Sequence, residues 1–136
     1  MAIAIYLNFN GNTSEVMDYY ARATGGKVLS KMTFGESGMP TSDTWKDKIM
    51  HGQVEMHGQV VMFSDSREGH NAVMGDNFYI SLDYKDEATQ AREFTALSEG
   101  GKVEMPLQDT FWGATFGMCT DKYGVHWMFN HDKPKA

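Results

Sequence analysis

Cysteine is almost absent from this chain of 136 residues, in which Cys119 stands alone. A single cysteine excludes an intrachain disulfide, and it excludes zinc sites made of four cysteines or of two cysteines and two histidines. Its one basic neighbour in the sequence is Lys122, so we expect a buried structural thiol rather than a reactive one. This cysteine usage predicts a cytoplasmic protein.

Long apolar runs and clusters of basic residues are missing as well. The longest apolar run, residues 1–7, is far shorter than the ~20 residues that span a bilayer. The N-terminus also lacks the charged start and apolar core of a signal peptide. The formal net charge is −6, and lysine and arginine form no cluster. We therefore expect no membrane partner and no nucleic-acid partner.

The composition that remains is that of a folded globular protein, with 41% hydrophobic and 22% charged residues. The first half of the chain follows the order strand, helix, strand, strand, strand. We predict a strand at 2–9, a helix capped at Asn12, Thr13 or Ser14 and ended by Gly25, strands at 27–34, 49–56 and 59–64, and a hairpin turn at His57 and Gly58.

The second half repeats that order. We predict a strand at 77–84, a helix from the cap Asp86 to about residue 98, a stop at Gly100, and strands at 102–108, 111–120 and 125–130. Spacing along the helices predicts which residues are buried. These residues are Val16, Tyr20 and Ala23 in the first helix, and Ala91, Phe94 and Leu97 in the second.

A short sequence repeat supports the doubled order. Residues 25–28, Gly-Gly-Lys-Val, return 75 positions later as residues 100–103. Each half alone would bury roughly 60% of its surface and be only marginally stable, so the two halves are expected to share a cavity or to pair with a second copy. We predict an α+β fold of one domain, made of two βαβββ modules at about 1–66 and 75–131, whose sheets curve into a cup around a shared cavity.

Five stretches of sequence carry a family resemblance. They are residues 6–12 (YLNFNGN), 49–51 (IMH), 101–113 (GKVEMPLQDTFWG), 116–118 (FGM) and 120–128 (TDKYGVHWM). In these stretches the chain resembles the vicinal oxygen chelate superfamily, also called the glyoxalase/bleomycin-resistance/dioxygenase fold, and within it the PhnB-like group. The resemblance implies a cup of paired modules and a homodimer, and exposed sheet edges give such pairing a physical motive.

Metalloenzymes of this superfamily hold a divalent ion with ligands, usually His or Glu, from the first and last strand of each module. The resemblance puts these positions near Ile5, Met62, Tyr79 and Met128, which are poor ligands for such an ion. The neighbouring positions offer one strong ligand, His126, among Ile3, Leu7, Val60, Ser64, Ser81, His126 and Asn130. One imidazole does not hold a metal, so no cofactor is expected, and a divalent ion stays an open alternative.

Two histidines are the candidates for polar chemistry. His51, near the start of a strand, is either a base or hydrogen-bond donor in the cup, or a structural residue. His126 lies two residues before Met128, so the two share a strand face. It is either a cup residue or an idle histidine at the mouth of the strand. The remaining histidines, His57, His70 and His131, are predicted to be exposed.

Residues 108–112 are the most distinctive segment. Asp109 and Thr110 are predicted either to form a turn capped by the aspartate, or to lie with Gln108 at the rim of the cup. Trp112 is predicted to be a stacking wall of a ligand pocket.

The function that these observations favour is the binding of a small organic molecule in a metal-free cup. The predicted pocket residues are Ile5, Met62, Ser64, Tyr79, Trp112, His126 and Met128. One alternative is a metal-dependent lyase, isomerase or dioxygenase, and another is a metal-free enzyme with His126 or His51 as general base. The methyltransferase label given to some members of the group finds little support, because the turn at residues 10–13 has a single glycine.

Overall fold

The computed structural model describes residues 3–134. Within that range it has eight strands and two helices, which confirms the predicted order βαβββ in each half. In chain order they are β1 (Tyr6–Phe9), α1 (Thr13–Thr24), β2 (Lys27–Thr33), β3 (Ile49–Met56), β4 (Gln59–Asp65), β5 (Ile80–Asp83), α2 (Glu87–Ser98), β6 (Lys102–Asp109), β7 (Ala114–Thr120) and β8 (His126–Asp132). The strands β1, β5 and β7 begin later than predicted, and residue 2 of the first predicted strand lies outside the described residues.

The strands form two four-stranded sheets, in the orders β1-β4-β3-β2 and β5-β8-β7-β6. In both sheets the strand before the helix pairs in parallel with the last strand of its half, and the other pairs are antiparallel. The chain divides into two compact units between Val73 and Met74, inside the polar segment expected between the modules. Neither helix within residues 3–134 is long and apolar enough to cross a membrane.

In the first unit, α1 packs on one face of its sheet, mainly against β3. The predicted helix face is confirmed, since Val16, Tyr20 and Ala23 are all buried. Gly52 on β3 allows the close approach of the helix, because a Cβ atom there would lie 2.5 Å from the side chain of Met17. The apolar contact between helix and sheet is the core of this unit.

Two predicted chain reversals are confirmed by their backbone angles. Gly25 ends α1 in the left-handed conformation, with φ of 66°, and its N–H donates to the carbonyl oxygen of Ala21. His57 and Gly58, with φ of 52° and 76°, join β3 to β4. Positive φ at both residues is what a two-residue hairpin turn of type I′ requires.

The start of α1 is held by a residue that the sequence analysis did not single out. Asn12 is the N-cap residue, but its side chain makes no capping hydrogen bond. The cap comes from Asp65 at the end of β4, whose Oδ1 accepts from the N–H groups of Gly11 (2.8 Å) and Thr13 (3.0 Å) and from the Thr13 hydroxyl (2.6 Å). Its Oδ2 accepts from the N–H of Ile49 at 2.8 Å. Four donors therefore satisfy a carboxylate that is only 2% exposed.

In the second unit the predicted face of α2 is partly wrong. Leu97 is buried as expected, whereas Ala91 is exposed and Phe94 is half-buried. The buried positions are instead Gln90, Glu93 and Leu97. Two of these side chains are polar, so an analysis of apolar spacing placed the helix face incorrectly.

The buried polar side chains of α2 bond to groups on the strands. The Gln90 amide nitrogen donates to the carbonyl oxygens of Thr115 (2.8 Å) and Phe129 (3.2 Å). Glu93 accepts from the Tyr84 hydroxyl at 2.8 Å. Burial and this hydrogen bond raise the pKa of Tyr84 far above its usual value. These hydrogen bonds offset the free-energy cost of burying polar side chains between α2 and the sheet.

Candidate functional site

In each unit the sheet face opposite the helix exposes polar and half-buried side chains. On the first sheet, Leu7 and Phe9 of β1 are buried on the helix side, so Tyr6 and Asn8 take the other face. Tyr6 pairs with Met62 of β4, which puts both on that face. The register predicted for the first strand is therefore off by one residue, since Ile5 alternates with Tyr6 and shares the orientation of Leu7.

His51 lies on this face of the first sheet, next to Tyr6. Its Nδ1 atom is 3.1 Å from the Tyr6 hydroxyl, and the two ring centroids are 5.8 Å apart. Its Nε2 atom is 3.4 Å from the side-chain nitrogen of Gln53. The imidazole is half-buried, so it is open on one side to a small molecule.

A cavity of about 370 Å³ lies where β1 and β4 of the first unit end. It includes one residue of the predicted pocket, Ser64. Its lining mixes polar and apolar side chains: Asn8, Phe34, Met39, Met50, Ser64, Asp65, Ser66, Arg67, His70 and Ala72. A few polar groups in an apolar surround are typical of small-ligand sites.

Two loops supply much of the cavity wall, and hydrogen bonds hold both of them in place. The first loop comprises residues 34–48, and the second begins at Ser66 after β4. The Ser42 hydroxyl of the first loop donates to Glu68 Oε2 of the second at 2.6 Å. The second loop is tied to the end of β1, because the Asn10 side chain donates to the Ala72 carbonyl oxygen (3.0 Å) and accepts from the Ala72 N–H (2.7 Å). The cavity is therefore bounded by ordered backbone.

On the second sheet, four side chains of the second unit form a hydrogen-bonded group, which we call the Glu104 group. Glu104 Oε2 accepts from the Tyr79 hydroxyl at 2.7 Å, and Oε1 accepts from the Thr120 hydroxyl. Nδ1 of His126 is 3.2 Å from Glu104 Oε1 and 2.8 Å from the Thr120 hydroxyl oxygen. Hydrogen bonds from Thr120, Tyr79 and His126 lower the pKa of Glu104.

The Glu104 group brings together two predicted pocket residues, Tyr79 and His126, whose ring centroids are 5.2 Å apart. The hydrogen bond to Glu104 raises the pKa of Tyr79. The second ring nitrogen of His126, Nε2, is 2.9 Å from the carbonyl oxygen of Gly75. Because a carbonyl oxygen can only accept, Nε2 carries a proton in this arrangement and cannot act as a base. Because Nδ1 faces Glu104 and Thr120, a basic role for His126 requires movement of the segment around Gly75.

Trp112, predicted as a pocket wall, lies in the loop between β6 and β7 and is 52% exposed. Its ring packs edge-on against Phe111 and Phe116, with centroid distances of 5.0 and 5.7 Å. Asp109 is the last residue of β6, and its carboxylate pairs with Lys133 at 2.7 Å. Lys133 lowers the pKa of Asp109. This aspartate therefore ties two strand ends together and does not cap the turn.

The turn after β6 is closed by Thr110. Its N–H and its hydroxyl both donate to the carbonyl oxygen of Ala114, at 2.8 and 3.1 Å. Gln108, the other residue expected at the rim of the cup, is exposed on β6 and pairs with Phe116 of β7. Met128, the last predicted pocket residue, is half-buried on β8 between Ser81 and Met118.

Two further expectations concern buried residues. His131 is 8% exposed, not free in a tail as predicted, because it lies on β8 with Nδ1 2.9 Å from the Tyr84 carbonyl oxygen. Cys119 is buried on β7, and burial raises the pKa of its thiol to about 11. A thiol of this kind is protonated at neutral pH, as expected for a structural cysteine. His57 and His70 are exposed as predicted, and His70 also lines the cavity.

The donor set does not suit a divalent metal. The four positions to which the resemblance pointed bear aliphatic, thioether or phenol side chains. Among residues 3–134, no three His, Cys, Asp or Glu side chains are grouped so as to hold a metal ion. Glu104 and His126 are adjacent, but they are two donors bound to other protein groups.

Sequence reasoning missed Asn8, Arg67 and Glu104, although all three face a cavity or a polar group. Arg67 follows a strand in a polar segment, and its charge was the one available indication. Glu104 lies on an edge strand where exposed residues follow one another without clear alternation. Neither position stands out until the sheet and its loops are assembled.

Comparison with known proteins identifies the family. A model of the Glyoxalase/Bleomycin resistance protein/Dioxygenase superfamily matches residues 3–129. The chain is 37% identical to the protein YjdN of Escherichia coli K12, over 96% of this chain and 95% of that protein. The crystal structure of PA1353 from Pseudomonas aeruginosa superposes with a TM-score of 0.89 at 40% identity, covering 98% of this chain and 99% of that one.

A more distant structure shares the fold. A PhnB protein of Bacillus cereus, described as a putative 3-demethylubiquinone-9 3-methyltransferase, superposes with a TM-score of 0.81 at 24% identity, over 96% of this chain and 99% of that one. The two βαβββ units define a glyoxalase-type protein, and this chain belongs to the Glyoxalase/Bleomycin resistance protein/Dioxygenase superfamily. The resemblance to this superfamily that the sequence predicted is confirmed.

Proposed function

We propose that this protein binds a small organic molecule and that the cavity of the first unit is the binding site. The observation that carries the proposal is the cavity of about 370 Å³ with its mixed lining. That volume lies within the range typical of small-ligand sites, roughly 300–1,000 Å³. The ordered loops around it reduce the entropy that binding would otherwise cost.

The cavity lining divides the work of binding between two kinds of side chain. Phe34, Met39 and Met50 offer apolar surface, and each square ångström buried contributes roughly 25 cal/mol. Methionine is flexible and adapts to ligands of different shape. Asn8 and Ser64 offer polar atoms that can orient the ligand. The Ser64 hydroxyl already donates to the Asp65 carbonyl oxygen at 2.7 Å, so its oxygen is left as an acceptor.

A screen of small aromatic and aliphatic compounds by ligand-observed NMR tests this proposal. For any compound that binds, Met50→Ala should weaken the affinity at least fivefold, because it removes apolar wall. Met128→Ala is the matched control, since Met128 is a half-buried methionine on the second unit. Loss of binding in Met128→Ala alone would move the site to the pocket that the sequence predicted and would contradict the cavity assignment.

A metal-free acid–base enzyme is the second candidate, and the Glu104 group is the observation that favours it. A carboxylate beside an imidazole is a common catalytic pairing. Both nitrogens of His126 are engaged, and those of His51 face the Tyr6 hydroxyl and the Gln53 side chain, so either base would have to exchange a protein partner for the substrate. If the protein converts a compound, substitution of the histidine that acts as base by alanine should lower turnover 10²–10⁴-fold. If the protein only binds its ligand, His126→Ala and His51→Ala should each change the affinity by less than tenfold.

We also propose that the chain forms a homodimer. Phe111 is 97% exposed and Trp112 is 52% exposed, side by side on one loop. Exposed aromatic pairs of this kind are typical of association surfaces. Light scattering coupled to size-exclusion chromatography should give twice the mass of 15.3 kDa, and Phe111→Ser should shift it toward one chain.

A further inference from the structure

We infer that the cavity of the first unit selects a small organic oxyanion, meaning an apolar body with a carboxylate or phosphonate head. This inference rests on the proposed function and adds the class of ligand. It starts from two cationic or potentially cationic side chains that line the cavity, Arg67 and His70. Both are exposed residues of the same loop.

The loop places these two side chains close together. The N–H of His70 donates to the carbonyl oxygen of Arg67 at 3.0 Å, which closes a tight turn. Two residues further on, Ala72 is fixed by its pair of hydrogen bonds with Asn10. The turn and its anchor keep the backbone of Arg67 and His70 close together, and both residues line the cavity.

Three polar side chains of the cavity lining have free donors. Within residues 3–134, the side chains of Asn8, Arg67 and His70 make no hydrogen bond or ion pair with the rest of the protein. Arginine presents its N–H groups as a planar fork that matches two oxygens of a carboxylate or phosphonate. An amide and an imidazole add further N–H donors for the same head group.

The nearby carboxylates are already engaged. Asp65 accepts four hydrogen bonds from Gly11, Thr13 and Ile49, on the side of α1. Glu68 accepts from the Ser42 hydroxyl (2.6 Å) and N–H (3.4 Å). Asp65 also lines the cavity, but its oxygens accept from Gly11, Thr13 and Ile49, so the lining donors without a protein partner include those of Arg67 and His70. Unpaired N–H donors favour a ligand that accepts hydrogen bonds, and the guanidinium of Arg67 favours one that carries negative charge.

The apolar side chains of the lining decide what the anion is attached to. Phe34 is buried, Met50 is half-buried and Met39 is exposed, so together they form an apolar wall of graded depth. A phenyl ring or short aliphatic chain fits such a wall better than a second charged group. The ligand class that satisfies both the polar and the apolar side chains of the lining is an amphipathic oxyanion.

Three probes of one shape test the inference on the full chain: benzoate, phenylphosphonate and the neutral benzamide. Affinities are measured by calorimetry, and the site is followed by amide shifts of Asn8, Met50 and Ser64 in NMR spectra. At least one anion should bind tenfold or more tightly than benzamide. Comparing benzoate with phenylphosphonate tells which head group is preferred.

Arg67→Gln should weaken the anion at least tenfold and leave benzamide unchanged. Arg22→Gln is the matched control, because Arg22 is an exposed arginine of the same unit in the last turn of α1 and its loss changes the net charge equally. The control variant should bind the anion as the natural chain does.

The outcomes separate this inference from the proposed function. If benzamide binds as tightly as the anions and perturbs the same amides, the anion inference is wrong and small-molecule binding at the cavity stands. Equal weakening by Arg67→Gln and Arg22→Gln would also overturn it, since the effect would be one of net charge. If none of the probes, nor any screened compound, perturbs those amides, the cavity site itself is contradicted.

Discussion

The exposed sheet face of the first unit ends in a cavity, whereas that of the second unit bears a closed hydrogen-bonded group. The topology of the two sheets is the same. The difference comes from the connection between the second and third strands of each unit, which is residues 34–48 in the first and residues 110–113 in the second. The long loop contributes Phe34 and Met39 to the cavity of the first unit, whereas the tight turn places Trp112 and Gly113 at a separate cavity of about 370 Å³ beside the end of β8. Loops on a shared scaffold thus decide where a cavity forms.

The cores of the two units also differ. The buried face of α1 includes Val16, Met17 and Tyr20, and its first turn is bonded to a carboxylate from β4. The buried face of α2 includes Gln90 and Glu93, whose partners lie on strands. The first unit is thus stabilised by a buried carboxylate at the start of its helix. The second unit is stabilised by polar side chains buried between its helix and its sheet.

The largest expected effect comes from Asp65→Ala in the first unit. This change leaves the N–H groups of Gly11, Thr13 and Ile49 without their acceptor, and it should lower the free energy of unfolding by about 3–5 kcal/mol. Urea denaturation followed by circular dichroism measures the change. The equivalent position in the second unit is His131. It lies two residues after Phe129 of β8, as Asp65 lies two residues after Phe63 of β4, and its side chain makes one hydrogen bond.

His131→Ala should therefore cost clearly less than Asp65→Ala, about 1 kcal/mol. If the two variants proved equally stable, the helix cap would not be the main difference between the units. Asp65→Asn, which keeps one acceptor oxygen, should fall between the natural chain and Asp65→Ala.

A smaller effect is expected from Tyr84→Phe in the second unit. Removal of the buried hydroxyl takes a hydrogen-bond donor from Glu93, which should lower the free energy of unfolding by about 1–3 kcal/mol. Tyr79→Phe is the control, because the Tyr79 hydroxyl bonds to Glu104 near the surface and its loss should lower the free energy of unfolding clearly less than Tyr84→Phe does. Thermal unfolding of both variants checks the order, which a greater loss in Tyr79→Phe would contradict.

The smallest effect concerns pH and the Glu104 group. The folded-state pKa of Glu104 is lowered from 4.5, so its carboxylate stabilises the fold at pH values above 4.5 and this contribution is lost as the pH falls through the lower, folded value. Glu104→Gln should therefore show a weaker loss of stability on acidification than the natural chain. Urea midpoints between pH 6 and about pH 3 measure this slope.

Glu99→Gln, an exposed glutamate at the end of α2, is the control for the removal of one charge. A slope that changes equally in both variants would show that the hydrogen bonds of the Glu104 group do not contribute to acid sensitivity. A change confined to Glu104→Gln would mark the sheet face of the second unit as the more acid-sensitive of the two.

The sequence by itself determined the elements, their doubled order and the family. These depend on neighbouring residues: Gly25 after a helix, His57 and Gly58 in a hairpin, and apolar residues at helical spacing on α1. The side chains of β8 were also placed on the correct faces, because alternation is a local property. His126 was singled out for this reason and Tyr79 because the family resemblance pointed to it, and the structure brings the two together.

Only the tertiary structure decided the rest, because it depends on residues far apart in the chain. Asp65 bonds to the start of α1 across 52 positions, and Tyr79 bonds to Glu104 across 25. The cavity forms where residue 8 meets residues 34–72, which share no local pattern. Hydrogen bonds and cavity walls of this kind exist only after the strands have paired, since pairing sets which distant side chains become neighbours.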